Sequence, residues 1–127
     1  MTGKMNTTAD RDRRQRYGQM RGRDLYWGFT LGILSNLATV FMLHSIGGKM
    51  SWAMTAMIVG TFIFVMINSF DCMDDLKANA DDMDEEEAAT NFGSKFLNAP
   101  WGLFKGVVTL ISGSLAITQL QVIWDIF

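Results

Sequence analysis

Residues 25 to 47, LYWGFTLGILSNLATVFMLHSIG, contain no Asp, Glu, Lys or Arg in 23 positions. At about 1.5 Å per residue such a helix spans about 34 Å, enough to cross a hydrocarbon core of about 30 Å. Residues 51 to 70, SWAMTAMIVGTFIFVMINSF, repeat the pattern over 20 positions, and a third apolar block runs from Leu103 to Trp124 with Lys105 near its start. A chain of 127 residues has too little volume to bury three helices that are apolar on every side. The expected fold is all-α: an integral membrane protein with three transmembrane helices over about 25–47, 51–70 and 101–124.

The connections follow from the same runs. GGKMS, residues 47–51, leaves room only for a tight antiparallel hairpin between the first two helices. Residues 71–99 form an acidic connector before the third. Asn98 and Pro100 are expected to start that helix, a capping residue and then a proline where no amide hydrogen bond is lost. Trp27, Trp101 and Trp124 near the block ends, with the snorkelling stem of Lys105, are expected interface anchors. The chain thus divides into a basic N-terminal tail, 1–24, and a three-helix transmembrane domain, 25–127.

Charge is segregated. Residues 1–24 carry seven basic and three acidic groups, while residues 71–87 carry nine acids against Lys77. By the positive-inside rule Arg11, Arg13, Arg14, Arg16, Arg21 and Arg23 hold the N-terminus on the cytoplasmic side, and the acidic connector falls with it. The arginines show no helical period, so the free tail is expected to be disordered. Three partners suit it: phosphate of lipid headgroups, phosphate of nucleic acid, and the acidic connector itself. No cleavable signal peptide is read in the polar residues ahead of the first apolar run.

The acidic run admits two backbone readings. Continuing the second helix past Asp71 brings like charges together at i, i+4, at about 0.2–0.5 kcal/mol per pair, and so needs cations or a partner. Otherwise a new helix starts near Asp81 and ends at Gly93. As a metal site, Asp81, Asp82, Asp84 and Glu85 suit at most a loosely held Ca²⁺ or Mg²⁺, because the EF-hand spacing fails at Lys77 and lacks the turn glycine.

Inside the apolar blocks, small residues form stripes: Gly28 and Gly32 with Asn36, Ala56 with Gly60, and Gly106 with Gly113. Such stripes let helices approach closely in lipid. Asn36 and Gln119 are expected interhelical hydrogen-bond partners. No catalytic residues are assigned, since nucleophile–base pairs, phosphate loops and H-E-x-x-H are all missing from the sequence. Cys72 beside Asp71 has its thiolate disfavoured. The expectation is a protein that is not an enzyme and holds no tight cofactor.

The plan of a basic tail, close-packed apolar helices and a charged loop resembles the minor integral membrane proteins of lipid-containing, corticovirus-like phages. That resemblance implies a structural virion protein of the viral internal membrane, a scaffold and homo-oligomer that links this membrane to capsid or genome. Its partners would be lipid, other subunits, copies of itself and nucleic acid. Two alternatives share the plan: an accessory subunit of a respiratory or photosynthetic complex in a bacterial inner membrane, and a holin-like pore.

Overall fold

The computed structural model describes residues 7–46 and 50–125. They form five helices: α1 Thr8–Ile46, α2 Ser51–Asp81, α3 Glu85–Ala88, α4 Asn91–Leu97 and α5 Trp101–Trp124. No strand occurs among the described residues. α1, α2 and α5 are each long and apolar enough to cross a membrane, so the protein is an all-α integral membrane protein of three spanning helices. Residues 47–49 of the expected hairpin turn lie outside the described residues.

α2 lies between α1 and α5, which barely touch each other. Gly28 faces Asn68, Gly32 faces Val65, and Ser35 bonds to Thr61. Partner numbers fall on α2 as they rise on α1, so the two helices run antiparallel. Met54, Ile58 and Val65 of α2 are buried between its neighbours, while Leu34, Phe41, Ile67 and Leu110 are more than half exposed. Large apolar side chains turned outward on all three helices suit a lipid environment, where burial against protein is not needed to satisfy them.

Two helices run past the apolar blocks. α1 begins at Thr8, 17 residues before the first apolar run, and α2 continues to Asp81 instead of stopping near Phe70. At about 1.5 Å per residue these extensions add about 25 Å and about 16 Å of helix outside the hydrocarbon. Together they make a two-helix stalk.

The rest of the connector folds back as two short helices. The Asp84 carboxylate caps α3 by accepting from the Glu87 amide at 2.8 Å, and the Thr90 hydroxyl caps α4 by accepting from Gly93 at 3.0 Å. Gly93 therefore lies inside α4 and does not end a helix begun at Asp81. A Cβ there would stand 2.1 Å from the Glu87 carbonyl oxygen, so the tight α3–α4 corner requires glycine. Asn98 is corrected too. It closes α4, donating its amide nitrogen to the Ser94 carbonyl at 2.8 Å, and Pro100 alone occupies the cap position of α5.

Candidate functional site: a charge clamp on the stalk

Arg11, Arg14 and Arg21 are spaced at three and seven residues, which places them on one face of a helix. That face meets the acids. Arg21 Nη2 donates to Asp71 Oδ2 at 2.5 Å and also reaches Asp75, while Nη1 lies 3.6 Å from Asp24. Arg14 Nη2 donates to Glu87 Oε2 at 2.5 Å. Arg11 spans two carboxylates, with Nε on Asp84 at 2.7 Å and Nη2 on Glu86 at 2.8 Å. Tyr17 adds a hydroxyl bond to Asp75 at 3.0 Å, and Asn79 donates to the Arg14 carbonyl at 3.2 Å.

This clamp explains both extensions. Arg21 neutralises the i, i+4 pair Asp71 and Asp75, so the repulsion that would break α2 at this point is removed. On its other flank, Lys105 donates to Asp74 at 2.5 Å and sits 5.1 Å above the Phe70 ring. Lys105 is expected to reach toward headgroups, but the first turn of α5 lies beside the α2 extension, whose Asp74 supplies a nearer anion. Arg11 and the Glu87 amide hold the Asp84 carboxyl below the usual carboxylate range, the amide bond contributing most.

The expected disorder of the free tail gives way to helix because its anionic partners belong to the same chain. The arginines have a helical period after all, split over two faces. Arg11, Arg14 and Arg21 turn inward; Arg13, Arg16 and Arg23 are exposed on the opposite face.

The proposed cation ligands are not gathered. Asp84 is occupied by Arg11 and by its capping bond, whereas Asp81, Asp82 and Glu85 are exposed. Among the described residues no three His, Cys, Asp or Glu side chains come together as a metal site.

The small-residue stripes divide. A Cβ on Gly28 would stand 1.9 Å from Asn68 Nδ2, and one on Gly32 would stand 2.6 Å from Val65 Cγ2, so these two set the α1–α2 approach. Gly113 meets only Phe62, at 3.9 Å, and Gly60 and Gly106 have nothing within 4 Å. Ala56 is exposed beside Gly60. The α2 stripe thus lies on the outer side of the bundle, with Gly60 at the rim of an open groove beside Leu31 and Ser35 of α1.

Polar groups at membrane depth bond to one another. Gln119 Nε2 donates to Asn36 Oδ1 at 2.9 Å, tying α5 to α1, and Asn36 donates in turn to the Gly32 carbonyl at 2.8 Å. Ser35 and Thr61 share a bond of 2.7 Å. At the far end Trp124 donates to Thr55 at 3.0 Å and packs edge-on to Trp52. Trp101 forms a run of ring contacts with Phe96 and Phe104, and Trp27 is exposed against Tyr26.

Under the clamp lies a cavity of about 570 Å³ between Gly18 and Gly22 of α1, Leu76 and Met83 at the end of the stalk, and Phe92 and Phe96. Nothing fills the space over Gly22 within 4 Å. The missing side chain at that position is what keeps this part of the cavity open.

No protein-family model, curated protein or solved structure matches the chain. Its fold and clamp define a class on their own terms: a three-span helical membrane protein whose first two helices leave the bilayer as a stalk held by internal ion pairs.

Proposed function

We propose that this protein is a non-enzymatic structural component of a larger membrane assembly, a scaffold that links an internal virion membrane to the shell or genome beside it. The observation that carries this reading is the stalk. Its inward-facing charges, Arg11, Arg14 and Arg21 with their acids, hold α1, α2 and the α3–α4 corner together, which stiffens an arm reaching about 25 Å beyond the hydrocarbon. A rigid arm on a membrane anchor suits linkage better than transport or turnover. With the arginine-rich end cytoplasmic, or facing the capsid interior in a particle, the arm points at whatever is packed there.

Cross-linking with mass spectrometry on native particles or membranes tests it. Stalk and connector residues, 8–24 and 71–99, are expected to link to a shell, genome-binding or complex subunit. A monodisperse monomer surrounded only by lipid, in membranes and in mild detergent, overturns the reading.

A further inference from the structure

We infer that the outer face of α1 docks on the outer face of α2 in a second copy of this chain, side by side in the same membrane. The inference rests on the scaffold reading and names the contact through which it assembles. The α1 face opposite the clamp carries Arg13, Arg16 and Arg23, then Trp27, Leu34 and Phe41 within the membrane, all exposed. The exposed face of α2 carries Ala53, Ala56 and Gly60 within the membrane, then Ile67, Ala78 and Asp82. At 3.6 residues per turn each set falls on one stripe.

The two stripes complement each other at matching heights. In a neighbour of the same orientation, α1 and α2 are antiparallel, as they are inside one copy. The internal register pairs Gly18 with Asn79, Gly28 with Asn68, and Gly32 with Val65. Carried across to a neighbour, it sets Arg16 level with the stretch from Ala78 to Asp82, where Asp81 and Asp82 are exposed and take no part in the clamp. Inside the membrane it sets Phe41 opposite Ala56 and Leu37 opposite Gly60, large against small. Positive meets negative above the bilayer while small residues admit the partner helix within it. The contact is head-to-tail, so it repeats from copy to copy and either closes into a ring or extends as a row with one free face at each end.

Lipid phosphate fits the arginine stripe less well. Arg23 lies at headgroup level, but Arg16 and Arg13 lie nine and twelve residues before Leu25, about 13 and 18 Å along the helix, past a headgroup layer of about 5–7 Å. Nucleic acid would meet the exposed Asp81, Asp82 and Glu85 of the same stalk.

The test uses the full chain in membranes, with the sole cysteine removed as Cys72→Ser and two differently tagged copies co-expressed. Arg16→Cys in one copy with Ala78→Cys in the other, and separately Leu37→Cys with Gly60→Cys, are expected to form disulfides on oxidation. Arg16→Cys in both copies is expected to give at least tenfold less. Arg13→Glu with Arg16→Glu should abolish association, and Asp81→Arg with Asp82→Arg in the partner should restore it. Absence of both mixed disulfides, with links to another subunit retained, overturns this contact and leaves the scaffold reading standing. Equal linking of α1 to α1 also overturns it, and a stripe that binds anionic vesicles while copies stay unlinked assigns the arginines to lipid instead. A lone monomer with no cross-link of any kind removes both readings.

Discussion

Arg21 places one guanidinium nitrogen 2.5 Å from Asp71 Oδ2 and within reach of Asp75, two acids one helical turn apart on α2. The Arg21 side chain is only 18% exposed, while that of Asp71 is 67% exposed. The bridge is thus half screened, and its value falls between exposed and buried pairs. Arg21→Met is expected to cost about 1–2 kcal/mol. It should also fray α2 beyond Phe70, because Asp71 and Asp75 are left to repel each other. Hydrogen exchange over residues 71–81 reads the fraying directly. Unchanged protection there, compared with wild type, removes the clamp as the reason α2 continues.

Gly28 and Gly32 differ from the outward glycines in a way that stability measurements separate. Gly28→Ala forces Asn68 aside and breaks its 3.3 Å bond to the Asp24 carbonyl, while Gly32→Ala presses on Val65. Each is expected to lose about 1–3 kcal/mol. Gly106→Ala meets open space and is expected to gain up to about 1 kcal/mol from helix propensity. Unfolding in mixed micelles ranks the three, and equal effects would argue against this α1–α2 approach.

How much could be read without coordinates depends on the distance between partners. The three spanning helices were legible because each apolar run carries its own signal. Asn36 and Gln119 stood out as amide side chains in such runs. The stalk was not legible from the tail alone, since Arg11 and Arg14 find their acids 73 residues away. Taken alone, the acids argue for a break after Phe70; with Arg21 and Lys105 beside them, they argue for continuation. A local signal did exist. The three-and-seven spacing of Arg11, Arg14 and Arg21 marks one helical face, and Asp84 with Glu87 has the spacing of a cap.

Asp84 gives the clamp a pH signature. Its folded carboxyl titrates below the ordinary value of 3.8, through the Glu87 amide first and Arg11 second. A carboxyl depressed on folding adds stability that is fully present above its unfolded value and is lost as pH falls through the folded one. The melting temperature should therefore drop below about pH 4, the reference range for an aspartate. Asp84→Asn removes the titrating group, so its acid limb should be flatter than wild type. Parallel limbs for the two proteins would show that Asp84 does not carry this dependence.

The Asn36–Gln119 bond is the one polar tie between α1 and α5 among the described residues. Gln119 is buried, and its Oε1 has no partner, so half of its amide is unsatisfied. Gln119→Leu removes that unsatisfied oxygen together with the bond, and the two effects oppose each other. Its net cost is expected to be small, under about 1 kcal/mol. Asn36→Leu instead strands the Gln119 amide nitrogen and should cost more. A double-mutant cycle isolates the pair, with an expected coupling of about 0.6 kcal/mol and a ceiling near about 1.7 kcal/mol. Zero coupling would mean that α5 is held to the bundle by its packing on α2, by Lys105 and by the Trp124–Thr55 bond, with the amides contributing nothing to the tie.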